Sequence, residues 1–208
     1  MLDAEEIYGL LLSSYGKPEW WSDDPYTVIF QSVLVQNTSW SSVKKTTALF
    51  QDELSAEYID LLDPEILMNK IRSCGFAKRK AETIKALTSW YLSNEGAIEK
   101  LSTEALRKEL LSFRGVGEET ADVILVYALL RPSFIIDAYT RRFLERIGYH
   151  FKNDEERRSF LTASLEKDVF IYGSFHWLLL EHSIMHCLKK PKCSGCVFSQ
   201  LCRFEKSS

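Results

Sequence analysis

Four of the five cysteines in this 208-residue chain fall within its last 22 residues, as Cys187-x5-Cys193-x2-Cys196-x5-Cys202. That spacing leaves the C-terminal segment few ways to fold. Four sulfurs so close in sequence converge on one centre, and the short gaps, turned at Pro191 and Gly195, force a loop to wrap it. Free thiols rarely gather this tightly without a metal. The start, MLDAEEIYGLL, is acidic and has neither a basic leader segment nor an A-x-A site, so no signal peptide is expected and the thiols should be reduced rather than paired as disulfides. Two centres fit: a zinc ion held by four cysteines, or a 4Fe-4S cluster. Either is expected to be structural, because the protein fills every ligand position. Cys74 stands alone at a helix end and reads as a small buried hydrophobe.

The rest of the chain is patterned for helices. Ile7, Leu10, Leu11 and Leu12 form one apolar stripe before the Gly16-Lys17-Pro18 break. Pro25 opens an apolar segment, Val28 to Val35, whose continuity predicts a buried helix. Ser41 or Ser42 is placed to cap the next helix, which ends near Leu49-Phe50. Asp63-Pro64-Glu65 reads as an N-cap followed by Pro at the first helical position, with a stop at Cys74-Gly75. Helices over 77–92, 103–111 and 118–130 follow, the last halted by Arg131-Pro132. Beyond that break a short apolar run, Phe134-Ile135-Ile136, leads to Asp137, and helices are expected over 138–147, 154–165 and 169–185. No set of strands with turn signals appears, so the fold class expected is all-α, with the Arg131-Pro132 break as the internal boundary.

Charge narrows the possible partners. With 26 Lys and Arg against 29 Asp and Glu the net charge is −3. That excludes a protein that coats nucleic acid without regard to sequence, which needs many cations on one face, but leaves room for a compact basic surface. Lys78-Arg79-Lys80, Arg141-Arg142 and Lys189-Lys190-Lys192 are the clusters suited to phosphates. No run of apolar residues is long enough to span a membrane.

Two features point to a site. In Leu110-Leu111-Ser112-Phe113-Arg114-Gly115-Val116-Gly117-Glu118-Glu119-Thr120-Ala121, a Gly-Val-Gly turn joins two helices. Free N–H groups at such a helix start form an anion site, and a DNA phosphate can dock there without a lysine. Twenty residues after Gly117 comes Asp137, just before a helix. At minimum it is an N-cap; a capping carboxylate is also held in one rotamer, ready to face a ligand. His176, His182 and His186 are spaced poorly for one metal and read as packing or hydrogen-bonding residues.

The hairpin, Asp137 at that distance and the cysteine tail together resemble the endonuclease III superfamily of helix-hairpin-helix DNA glycosylases, over essentially the whole chain. The resemblance implies a two-domain helix-hairpin-helix glycosylase fold: a six-helix barrel domain over 23–131, and a cluster domain built from 1–22 plus 132–208. It implies a 4Fe-4S cluster on Cys187, Cys193, Cys196 and Cys202, although the first cysteine gap is five residues where the family usually has six. It also implies phosphate binding by Arg114, Gly115, Val116 and Gly117, and insertion of Gln36 or Asn37 into the gap left by a flipped base. Bifunctional members carry a lysine two residues after the second hairpin glycine; here Glu119 stands there, and a carboxylate cannot form an imine. The adenine glycosylases of the superfamily carry a catalytic glutamate at the position occupied here by Ser32.

Pro18-Glu19-Trp20-Trp21, Val35-Gln36-Asn37-Thr38-Ser39-Trp40 and Glu119 resemble the short 3-methyladenine DNA glycosylases, whose known members lack the cluster. The implied activity is monofunctional: hydrolysis of the N-glycosidic bond of an alkylated purine, with Asp137 as the catalytic carboxylate and Trp20, Trp21, Trp40 and Glu119 around the base. A cationic base stacks well on aromatic faces and is already a good leaving group. A glycosylase for mismatched or deaminated bases and a non-catalytic DNA-binding cluster protein are the alternatives. Double-stranded DNA with a damaged base is the partner expected, for a cytoplasmic monomer that joins the nucleoid when bound.

Overall fold

The computed structural model describes residues 1–204. Every regular element among them is helical: α1 (Ala4–Tyr15), α2 (Pro25–Leu34), α3 (Trp40–Thr47), α4 (Ala56–Leu61), α5 (Pro64–Lys70), α6 (Ala77–Ser93), α7 (Thr103–Ser112), α8 (Glu118–Val123), α9 (Ala138–Arg146), α10 (Asp154–Thr162) and α11 (Val169–Met185), with short 3-10 turns between some of them. The starts are set by local chemistry. Asp3 and Glu6 form a reciprocal capping box on α1. Asp24-Pro25 and Asp63-Pro64 place a carboxylate cap before a proline at the first helical position. Ser39, rather than the expected Ser41 or Ser42, caps α3 by accepting from the Ser42 N–H at 3.1 Å. The earlier serine wins because Ser39 has the extended backbone a cap needs.

The chain divides into two compact units. One holds Met1–Trp20 and the chain from Pro132 onward. There α1 and α9 both pack on α11, burying Ile7, Leu11, Phe134, Phe143, Phe175, Leu178, Leu179 and Phe198 in one core. α11 is apolar on nearly every side, as a helix at the centre of a core must be.

The other unit is Trp21–Arg131. Its α6 packs against α2, α4 and α5. The helix expected over 118–130 is α-helical only to Val123; Ile124–Ala128 widens into a π-turn, with the Leu129 N–H reaching back to the Ile124 carbonyl at 3.0 Å. Such one-residue insertions are tolerated where a side chain has to be re-aimed. The Arg131 guanidinium then closes the unit's end by donating to the Ile98 and Glu99 carbonyls.

Lys80 departs from the sequence expectation. It belongs to a basic run suited to phosphates, yet it is 1% exposed. Its ammonium donates to the carbonyls of Leu34, Gln36 and Cys74, each at 2.8 Å. Those are the last turn of α2, the turn after it, and the turn before α6. Three carbonyls match the three donors of an ammonium, so the charge is satisfied away from water. Lys80→Met keeps the stem and orphans all three carbonyls. Urea unfolding of that variant should show a loss of about 3 kcal/mol or more.

Candidate nucleic-acid interface and catalytic carboxylate

In the unit Trp21–Arg131 the hairpin is α7, the turn Phe113–Gly117 and α8. Only one of its two glycines is demanded by the fold. Gly115 lies in the left-handed region at φ +92°, and a Cβ there would collide with the Thr83 hydroxyl, which donates to the Arg114 carbonyl at 2.9 Å. Gly117 has ordinary extended backbone, with open space where a Cβ would go. It is the N-cap of α8, so no side chain caps that helix. Most helices here are capped by Asp, Ser or Asn; this one turns bare backbone outward, the arrangement that suits a phosphate. Arg114 is exposed beside the turn and Val116 is buried beneath it. Glu118 and Glu119 are exposed in the first turn of α8.

Gln36 is tied to this hairpin. Its amide nitrogen donates to the Gly115 carbonyl at 3.0 Å and lies 2.9 Å from the Thr120 hydroxyl. The neighbouring Asn37 is exposed and left-handed, at φ +52°. The turn is therefore locked from both sides, by Lys80 on the Gln36 carbonyl and by the hairpin on its side chain.

The three tryptophans separate. Trp21 and Trp40 meet edge to face with centroids 5.2 Å apart, and Tyr127 of the π-turn closes on Trp21 at 5.5 Å. Trp20 belongs to the other unit and packs on Phe170. Tyr127 sits in an unbroken apolar run, where no sequence signal distinguishes it. Behind Trp21, the carbonyl oxygen of buried Gln31 accepts from the indole N–H at 2.7 Å, and its amide nitrogen lies 3.2 Å from the Thr47 hydroxyl. The amide thus holds the Trp21 ring in place from the core side, and of the three rings Tyr127 is buried while Trp40 is the most exposed.

In the unit that begins again at Pro132, Asp137 caps α9. Its Oδ1 accepts from the Thr140 N–H at 2.6 Å, and its Oδ2 faces His176 Nε2 at 3.6 Å. Burial alone would push this carboxyl up; His176 and the Thr140 N–H outweigh it and hold it below the ordinary carboxylate range. Asp137 is thus an ionised carboxylate that is nearly dry.

All four tail cysteines line one cavity, with Phe143, Arg146, His182 and Phe198 among its walls. Burial pushes the Cys196 thiol up, and the Cys202, Cys187 and Cys193 sulfurs add to that. Hydrogen-bond donors surround them. Arg146, buried, points Nη1 at Cys187 Sγ (3.2 Å) and binds the Leu188 and Lys189 carbonyls. Burial pushes the His182 imidazole down to about 4, with its Nδ1 2.8 Å from the Tyr15 hydroxyl and its Nε2 3.7 Å from Cys196 Sγ. If Tyr15 donates, the neutral ring carries its proton on Nε2, toward sulfur. N–H groups aimed at sulfur suit thiolates that hold a metal. Among the described residues no three His, Cys, Asp or Glu side chains meet closely enough to hold a metal ion.

The basic clusters divide in use. Arg141 pairs with Asp154 at 2.6 Å, and Arg142 donates to the Cys187 carbonyl at 2.7 Å. Lys189, Lys190 and Lys192 are exposed. His186 binds the Lys192 carbonyl through Nδ1 at 2.9 Å, a hydrogen-bonding role of the kind expected.

Residues 30–167 match the family model of the HhH-GPD superfamily base excision DNA repair proteins. A protein of Methanocaldococcus jannaschii provisionally named a DNA repair glycosylase is 39% identical over 208 residues, covering 95% of this chain and 94% of its own. The crystal structure of H. pylori 3-methyladenine DNA glycosylase bound to 1,N6-ethenoadenine is similar at a TM-score of 0.74 and 25% identity, over 88% of this chain and 98% of that one. A non-covalent endonuclease III–DNA complex shares the fold at a TM-score of 0.80 and 24% identity, over 98% and 96%.

The two glycines should behave differently when given a side chain. Gly115→Ala forces a left-handed Cβ into Thr83 and should cost about 1–3 kcal/mol in thermal unfolding. Gly117→Ala should unfold like the parent protein, yet bind duplex DNA more weakly in a fluorescence-anisotropy titration.

Proposed function

Because the chain belongs to the HhH-GPD superfamily of base excision DNA repair proteins, we propose that it is a monofunctional DNA glycosylase that hydrolyses the N-glycosidic bond of alkylated purines such as 3-methyladenine. The observation that carries the substrate class is the Trp21–Trp40–Tyr127 cluster, with Trp21 held by Gln31 behind it. Alkylation puts positive charge on the purine, and stacking on an electron-rich ring such as Trp40, the most exposed of the three, stabilises a cationic base by about 0.5–2 kcal/mol. A neutral mismatched or deaminated base is read through its Watson–Crick edge, which asks for free amide donors. The likeness to the H. pylori 3-methyladenine enzyme supports the same choice.

The chemistry asks little of the protein because the leaving base is already cationic. The base departs as the sugar gains oxocarbenium character, and the ionised Asp137 stabilises that charge and orients the attacking water, as carboxylates do in glycoside hydrolysis. Glu119 stands where a Schiff-base lysine would be needed, so the reaction ends at an abasic site with the strand intact. The hairpin backbone, with Arg114, Gly115, Val116 and Gly117, holds a phosphate beside the lesion, and Gln36 or Asn37 fills the gap in the duplex. Within this reading the unit Trp21–Arg131, which holds α2 to α8, stands for the barrel domain expected over 23–131, and the rest stands for the cluster domain. Cys187, Cys193, Cys196 and Cys202 would hold a 4Fe-4S cluster, which cross-links the tail to the end of α11; no step of base release passes through it. Arg146 and His182 would be its hydrogen-bonding surround.

Duplex oligonucleotides carrying 3-methyladenine, 7-methylguanine, hypoxanthine, uracil or a T:G mismatch test this directly. Release should be fastest for the alkylated purines, with strand breaks only after alkali. Asp137→Asn should slow it by at least about 100-fold. Release of uracil or thymine alone would replace the substrate class. Purified protein should contain iron and absorb broadly near ~400 nm; a colourless protein with one zinc would remove the cluster.

A further inference from the structure

Asp137 and His176 are among the few buried polar side chains of their unit, at 7% and 5% exposure, and they face each other. The two carboxylate oxygens have different work. Oδ1 is committed to the Thr140 N–H at 2.6 Å, as the cap of α9. Oδ2 is the oxygen left for chemistry, and it lies 3.6 Å from His176 Nε2. The residues that bear on this carboxyl are His176, from α11, and Thr140, from its own helix. A carboxylate so far out of water takes up a proton unless donors hold it ionised. A histidine in the apolar core is costly too, and leucine or phenylalanine would pack there without that cost. The structure nevertheless has a histidine on α11 facing the carboxylate.

We propose that His176 is a positioning residue for the base-release reaction: it keeps Asp137 Oδ2 ionised and aimed while the carboxylate stays buried. This rests on the role given to Asp137 above. Neutral with its proton on Nε2, or doubly protonated, the imidazole presents an N–H to Oδ2 and favours the anion. Asp137 is active only when ionised, so activity persists downward in pH until its folded pKa is passed. Removing His176 raises that pKa and moves the acidic limb of the rate profile upward.

Two measurements on the full-length protein test it. Carboxyl 13C NMR of aspartate-labelled protein, with the signal assigned by Asp137→Asn, gives the Asp137 titration without any need for activity. Single-turnover release of 3-methyladenine as a function of pH gives the acidic limb. In His176→Leu both midpoints should rise by roughly 1–2 pH units, and the rate above the new midpoint should fall as the carboxylate loses its aim. His176→Gln, which restores an N–H donor and guards against misfolding of the leucine variant, should bring both back most of the way. An Asp137 titration that stays in place in both folded variants overturns the proposal, as does an acidic limb that stays while the titration moves. If the titration moves but even the parent protein releases no base from any substrate, the pairing stands and the glycosylase assignment fails.

Discussion

The unit Trp21–Arg131 hangs on one buried ammonium. Lys80 joins the end of α2, the turn that carries Gln36 and Asn37, and the turn at Cys74. Burial pulls its pKa down, yet three carbonyl dipoles at 2.8 Å compensate the charge. One turn along the same face of α6, the Thr83 hydroxyl donates to the Arg114 carbonyl. The helix therefore fixes both the hairpin and the turn beside it, and the Gln36 amide ties the two together. A surface that must meet a regular duplex benefits from such stiffness, because ordering loops on binding costs free energy that would otherwise appear as affinity. The same link carries a cost. While its amide bonds the hairpin, Gln36 cannot reach an estranged base, so filling the duplex gap requires that bond to be exchanged or leaves the task to exposed Asn37.

Asp137 faces the opposite demand. Exposed, it would cap α9 equally well but would be hydrated, and a hydrated carboxylate is a weaker partner for a sugar cation. Buried without help, it would be protonated and useless at neutral pH. The structure resolves the conflict with one backbone N–H on one oxygen and an imidazole near the other. On the proposed reading the first contact serves both the helix and the reaction, and the second serves the reaction alone. An N-cap needs only one oxygen.

What was legible in the sequence follows from the range of the interactions involved. Caps are local, so Asp63-Pro64 and Asp137 could be read as they stand, and so could the end of α1 at Gly16 and the full extent of α11. Ser39 was missed in favour of serines two and three residues later, because type alone does not tell which of three hydroxyl residues has the capping backbone. Partners distant in sequence left no trace. Lys80 looks like one cation of a solvated run, Arg146 like any helix residue, and His176 like a packing or hydrogen-bonding residue of unspecified partner, since the carbonyls, sulfur and carboxylate they meet come from other elements. The adjacent Trp20 and Trp21 look alike in sequence, and the chain assigns them to different units. Tyr127 is the hardest case. It lies inside a continuous apolar run, and only the π-turn, which no residue type announces, brings its ring toward Trp21.

That π-turn also bears on how the aromatic cluster came to be available. In an uninterrupted α-helix the ring at 127 would project about one residue's rotation away from its present direction, roughly 100°. Widening the turn re-aims it without displacing the buried Ile124, Leu125 and Val126, which remain fully packed. Gln31 then fixes Trp21 from behind through the indole N–H, a contact that orients the ring. Selectivity for a cationic base would thus rest on ring surface held in place by a buried polar contact: Trp40, the most exposed ring of the cluster, offers a π-face that gains more from a cation than from neutral uracil or thymine.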